Sequence, residues 1–173
     1  HVDDFIGAGE GTECEADVRR TPTEEVPRNF AERLRKLNAR FTFSTWDFDA
    51  QQIFCGTETT QGEDCGITVT LEEYTHKVKP LTIEKYRRAN ANDPATDREL
   101  NAYRKLNGSL QWPAAQAAPH LSASVSLHQA AVGNLLVKDL LDLNKTLRFA
   151  KQNAAVGLKF PAGIWKRSRP TAI

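Results

Sequence analysis

The sequence predicts a helix-rich α+β protein, and two patterns carry that expectation. Apolar residues alternate with polar ones at Phe41 and Phe43 and again at Ile67, Val69 and Leu71, with threonines between, which is the period of half-buried strands. Elsewhere apolar residues recur at three- and four-residue steps: Phe30, Leu34, Leu37 and Phe41; then Leu100, Tyr103, Leu106 and Leu110; then Leu136, Leu140, Leu143 and Leu147. That spacing puts each set on one face of a helix. Most strand signals come before residue 72 and most helix signals after it.

In chain order, Phe5-Ile6 reads as a short strand running into Gly7-Ala8-Gly9-Glu10-Gly11. The glycine run has the look of a phosphate-cradling loop, but Glu13, Glu15 and Asp17 follow it and would repel phosphate. Residues 12–28, with Pro22 and Pro27, read as an irregular connection. Asn29 with Glu32 makes a capping-box-like start for the first helix. From Phe41 to Thr60 the pattern is strand-like and includes Trp46, Phe48 and the run Ile53-Phe54-Cys55-Gly56. Gly62-Glu63-Asp64 reads as the turn of a hairpin into the strand at Ile67. Thr70 with Glu73 forms a further capping box, opening a helix through Tyr74 and Val78 that stops near Pro80.

Residues 82–95 are polar and read as a loop. Thr96 with Glu99 caps the next helix, which Pro113 is expected to end or kink just past Trp112. Pro119 suits the first turn of another helix carrying Leu121, Val125, Leu127 and His128, and Gly133-Asn134 breaks it. The last helix spans about 136–152, with Lys138, Lys145, Arg148 and Lys151 on its outer face. Gly157-Leu158-Lys159-Phe160 reads as one more short strand, and the segment from Trp165 to Pro170 as a loose basic tail. Trp46 and Trp112 are expected in the core. His76, His120 and His128 are expected to serve packing or the surface, because no partner spacing supports a metal site.

Apolar residues make up 40% and charged residues 26%, ordinary proportions for a folded chain, and these argue against wholesale disorder. No run approaches the length of a membrane span, so no membrane partner is expected. No basic-then-apolar leader opens the chain, so it is expected to be intracellular and not secreted. There is no methionine at all, which points to a piece of something longer. Cys14, Cys55 and Cys65 lack the close spacing of a zinc or redox site and read as free thiols. Charge is uneven: residues 1–30 hold eight acids and three bases, whereas residues 100–173 hold ten bases and two acids. A basic C-terminal half suits a polyanion; uneven surface charge without function is the plainer alternative.

Asp3 and Asp4 are the candidate chemistry. Adjacent carboxylates inside an apolar run repel each other and cost stability unless a cation or a hydrogen-bond network offsets them. A hard divalent cation is one such offset, and a tight turn is the plainer explanation.

In the order met along the chain, these elements resemble the C-terminal part of a copia-type retrotransposon reverse transcriptase. His1-Val2-Asp3-Asp4 resembles the Tyr-x-Asp-Asp box of that family's palm, with His in place of Tyr. The helix over residues 29–41 and Phe54-Cys55-Gly56 resemble the helix and strand of the primer-grip region, with Cys55 where the family has Leu. Gly66-Ile67-Thr68-Val69-Thr70 followed by Glu73-Tyr74 is similar to the entry into the thumb. Tyr103-Arg104-Lys105-Leu106-Asn107-Gly108-Ser109-Leu110-Gln111-Trp112 is close to a family signature of the form Tyr-Arg-x-Leu-x-Gly-Ser-Leu-x-Trp. The stretch Pro119-His120-Leu121 through Leu127 resembles the Arg-Pro-Asp-Ile helix that follows, and Asn144-Lys145-Thr146-Leu147-Arg148-Phe149 its Leu-Arg-Tyr-Leu-Lys ending. The likeness runs to about residue 160.

The resemblance implies the end of a polymerase palm over residues 1–60, a helical thumb and connection over 61–155, and over 156–173 a linker toward a ribonuclease H domain. It implies an RNA-directed DNA polymerase of a Pol polyprotein, working in a cytoplasmic particle or the nucleus. Asp3 and Asp4 would then be catalytic metal ligands for two Mg²⁺ (or Mn²⁺) ions shared with a third Asp. That third Asp belongs to an upstream strand, so this chain alone is expected not to polymerise. Partners would be an RNA or DNA template–primer, dNTPs, and the neighbouring palm, fingers and ribonuclease H segments. Lys77, Lys79, Lys145, Arg148 and Lys151 are the candidate contacts to the nucleic-acid backbone. The alternative is a non-catalytic nucleic-acid-binding or interaction module derived from a degenerate retroelement. A purely structural helical domain with an incidental Asp-Asp turn is the third possibility.

Overall fold

The computed structural model describes residues 30–41 and 49–162. Expectations for Asp3, Asp4, Asn29, Trp46, Trp165 and the strand after Phe41 lie outside the described residues. The fold is helix-rich α+β, as the two periodicities require. The elements are α1 (Phe30–Arg40), β1 (Gln51–Phe54), β2 (Thr57–Gln61), β3 (Ile67–Thr70), α2 (Glu72–Lys77) and α3 (Lys85–Ala89). They continue with α4 (Asp97–Gln116), a 3₁₀ turn at Pro119–Leu121, α5 (Ser122–Ala130), a second 3₁₀ turn at Ala131–Asn134, α6 (Val137–Gln152) and β4 (Leu158–Phe160). The strands take the sheet order β1-β2-β3-β4. The chain divides into two compact units at Phe54/Cys55.

In the N-terminal unit, α1 buries Leu34 as its period requires. Glu32 is buried as well, and its carboxylate accepts a 2.7 Å bond from Arg35 one turn on. Phe41 was expected inward but is 53% exposed. It lies one residue past the end of α1, where helical period no longer sets its direction, and the Arg40 guanidinium sits 5.8 Å from its ring centre.

The larger unit opens with a turn that the alternation hid. Cys55 and Gly56 take positive φ, 50° and 76°, the backbone of a two-residue hairpin turn. The run Ile53-Phe54-Cys55-Gly56 is therefore the end of β1 plus a turn rather than a continuous strand. The second turn falls where Gly62-Glu63-Asp64 put it: Gly62 N–H donates to the Gly66 carbonyl at 2.8 Å, and the Asp64 carboxylate accepts from Gly66 N–H at 2.9 Å. Antiparallel ladders pair Thr59 with Val69 and Val69 with Leu158. At the entrance to β4, a Cβ on Gly157 would clash with the Val69 carbonyl oxygen, so only glycine lets the strands meet.

The start of α2 corrects the expected Thr70–Glu73 capping box. Thr70 pairs with Glu58 across the ladder, and its hydroxyl donates to Glu58 Oε2 at 3.1 Å. Glu58 Oε1 accepts from Glu73 N–H at 2.7 Å. One carboxylate from the neighbouring strand takes both donors, so the cap comes from across the sheet instead of from within the helix.

The core belongs to α4, α5 and α6. Tyr103, Leu106, Leu110 and Ala114 of α4 meet Leu121 and Val125, and Val137, Leu140, Leu143 and Leu147 of α6. Burying each large side chain of this set contributes roughly 1.5–3 kcal/mol. Leu136 is only half-buried and precedes α6, whose inward stripe begins at Val137. Leu127 is 72% exposed, because Val125 and His128 already take the inward side of the nine-residue α5. The Thr96–Glu99 box is formed as expected. A short helix, α3, stands where a loop was expected; with only five residues it had no room for an apolar period.

Pro113 does not end α4, which runs on to Gln116. Trp112, expected in the core, is 39% exposed, since Leu110, Pro113 and Ala114 take the buried side of that turn. A mid-helix proline lacks the N–H that would have bonded the carbonyl four residues back, here Ser109. Tyr74 of α2 supplies the missing donor: its hydroxyl lies 3.2 Å from the Ser109 carbonyl oxygen. Tyr74→Phe should therefore cost about 1 kcal/mol in the native chain. In a Pro113→Ala background, where a helical N–H returns, the same change should cost much less. Urea unfolding of the four proteins of this cycle measures the coupling.

Candidate nucleic-acid interface

The segment from Val78 to Ile83 leaves α2 with no regular structure of its own, and its backbone polar groups need partners. Asn144 of α6 provides them. Its Oδ1 accepts from Leu81 N–H at 2.8 Å, and its Nδ2 donates to the Leu81 carbonyl at 2.9 Å. The amide pairs with the backbone as a neighbouring strand would, while Ile83 is buried in the core beside it. The segment becomes a fixed ridge, and Pro80 and Leu81 line a groove on each side of it.

The groove toward α6 has a volume of about 770 Å³. Arg88, Lys145, Arg148, Lys151 and His76 line it, and no carboxylate does. Three of the five expected backbone contacts, Lys145, Arg148 and Lys151, thus come together here. Helical spacing explains it: positions 145, 148 and 151 recur every three residues along one flank of α6. Lys145 holds Asp142 at 2.8 Å, an exposed pair of the kind that contributes little and exchanges readily with another anion. Lys151 donates to the His76 carbonyl at 2.9 Å, which leaves further ammonium protons for a phosphate. Arg88 is oriented by a bond from Nε to the Ile83 carbonyl at 2.9 Å. Arg88 and His76 were missing from the expected set. The basic run Arg87-Arg88 was the available signal, masked by treating residues 82–95 as loop.

The other expected pair, Lys77 and Lys79, lines the second groove, of about 790 Å³, between the ridge and α4. Lys77 pairs with Glu73 at 2.6 Å, and Lys79 is exposed. The wall of this groove is an ion pair between Arg87 and Glu99, whose side chains are mostly buried. Arg87 grips both carboxylate oxygens, through Nε at 3.1 Å and Nη2 at 2.8 Å, and Nη2 also donates to the Pro94 carbonyl. Glu99 further accepts from Thr96 N–H and hydroxyl. The Arg87 bond, with the Thr96 donors, holds the Glu99 carboxyl at about 2, well below the usual carboxylate range, and the Arg87 guanidinium is raised in turn.

Phe54, Cys55 and Gly56 sit at the end of β1 and in the turn that follows; Cys55 is exposed with a free thiol. His128 is half-buried between Tyr103, whose hydroxyl is 3.0 Å from Nδ1, and Thr146, whose hydroxyl is 2.8 Å from Nε2. Burial favours the neutral ring and lowers its pKa, and burial pushes Tyr103 up to about 12. This matches the packing role expected for His128. Among the described residues no cluster of His, Cys, Asp or Glu could hold a metal ion, and no helix is long and apolar enough to cross a membrane. The chain matches no protein-family model, no curated protein and no solved structure.

Because the folded Glu99 titrates below its ordinary value near 4.5, its stabilising effect is fully present above that pH and is lost as pH falls toward 2. Thermal midpoints of the native chain should drop across that window. Those of Glu99→Gln should start lower and fall less steeply, which pH-dependent scanning calorimetry would read.

Proposed function

We propose that this chain is a segment of an RNA-directed DNA polymerase of the copia-type retrotransposon kind. In this reading the groove beside α6 tracks the phosphate backbone of a template–primer, and Asp3 and Asp4 contribute carboxylates to the polymerase centre. What carries the reading is the meeting of Lys145, Arg148 and Lys151 with Arg88 in one groove lined by no acid. The ordered set of six sequence resemblances supports it from the other side. A paired carboxylate donor set suits a hard cation such as Mg²⁺, and Asp3 and Asp4 would hold it. Bound there, the ions of such centres activate the primer hydroxyl and steady the leaving phosphate. The cations of the groove act on backbone charge and carry no base information, so binding is indifferent to sequence.

Four phosphate contacts give a log–log salt slope of about −3.6 and a loss of about a hundredfold in affinity between about 50 and about 200 mM salt. Fluorescence anisotropy with a labelled RNA–DNA template–primer should show that slope. Arg148→Ala should lower affinity uniformly across sequences and reduce the slope by about 1. Salt-independent binding, or none at the low-salt end, would contradict the reading.

The second reading, a non-catalytic nucleic-acid-binding module, is favoured by the fact that every cation of the groove lies between His76 and Lys151, far along the chain from Asp3 and Asp4. Calorimetric titration with Mg²⁺ separates the two. Mg²⁺ binding that is lost in Asp3→Asn with Asp4→Asn favours the polymerase segment, and Mg²⁺ binding that survives both changes counts against it.

A further inference from the structure

We infer that the groove between the ridge and α4 is a site for an unpaired nucleotide, which stacks its base on Tyr86 while cations at the rim hold its phosphates. The inference rests on the nucleic-acid reading above and deepens it by assigning strand state: duplex backbone on the α6 side, unpaired strand on the α4 side. Tyr86 is 64% exposed on α3 and lines the groove, so its ring is open to solvent instead of packed in the core. Tyr74 stands in the same lining, with its hydroxyl tied to the Ser109 carbonyl. Val78, Leu81, Ala102 and Leu106 supply apolar surface between them. A volume of about 790 Å³ falls in the range of sites for small ligands.

The charge around this apolar floor selects an anion. Lys79, Arg98 and Lys105 are exposed in the lining. Of the two carboxylates there, Glu99 is neutralised by Arg87, which leaves Glu84 against three rim cations. Apolar floor, exposed ring and cationic rim together match a nucleotide, whose base is planar and apolar on its faces and whose phosphate is charged. An acidic peptide would satisfy the rim and leave the ring unused. The base must be unpaired, because bases within a duplex already stack on each other and present only edges, whereas single strands offer faces to aromatic side chains.

The test uses the 173-residue chain and two fluorescein-labelled strands of about eight nucleotides, one of thymidylate and one abasic with the same phosphates. The thymidylate strand should bind at least about fivefold more tightly than the abasic one. Tyr86→Ala should erase that difference and Tyr86→Phe should keep it; the exposure of Tyr86 makes both variants safe for folding. Equal binding of the two strands overturns the inference, as does a difference that survives Tyr86→Ala. An RNA–DNA duplex titrated alongside separates the two readings. Salt-dependent duplex binding without base preference removes only this site. A Tyr86-dependent base preference without salt-dependent duplex binding removes the α6 groove and leaves this site standing. Binding of neither removes both.

Discussion

The two hydrogen bonds between the Asn144 side chain and the Leu81 backbone hold the segment on which both grooves depend. Val78 to Ile83 joins the strand-and-α2 part of the larger unit to the helical core, and without a partner its backbone could not lie against α6. An amide can satisfy one N–H and one C=O at once, which neither an ionised carboxylate nor an ammonium can do. With the ridge fixed, both grooves exist and both acquire their linings; if it moved, Arg88 and the α6 cations would no longer face a common cleft. The shape of both grooves is set by Asn144, which also lines the one beside α6.

A second set of contacts works by repair. Pro113 strips a donor from α4, and Tyr74 replaces it from another helix. Neither residue makes sense locally, since a proline costs helix stability and a tyrosine hydroxyl needs a partner when it is covered. Together they pin α2 to α4 at one carbonyl. Glu58 does the same at the start of α2, capping it from the neighbouring strand.

What was legible in the sequence follows from range. The amphipathic stripe of α6, the Thr96–Glu99 cap and the Gly62–Asp64 turn depend on residues a few positions apart, and periodicity reports them directly. The Thr70–Glu73 box had the right spacing and failed because Glu58, twelve residues away from Thr70 in sequence, lies opposite it in the sheet. Pro113 reads as a stop until Tyr74 is placed beside Ser109. α3 is too short to show a period, so Tyr86 and Arg88 were hidden inside a presumed loop. For the candidate interface, the three-residue spacing of Lys145, Arg148 and Lys151 was visible. That they share a cleft with Arg88 depends on the tertiary placement of the ridge. Asp3 and Asp4 rest on sequence alone.

The central claim is that the clefts on the two sides of the Asn144-clamped ridge hold nucleic acid. Hydrogen–deuterium exchange of the chain, with and without a template–primer carrying a single-stranded overhang, tests it most directly. The account predicts slower exchange on binding in three stretches, residues 76–88, 98–109 and 141–152, with α5 unchanged. Protection centred on α5, or no protection at saturating nucleic acid, would contradict it.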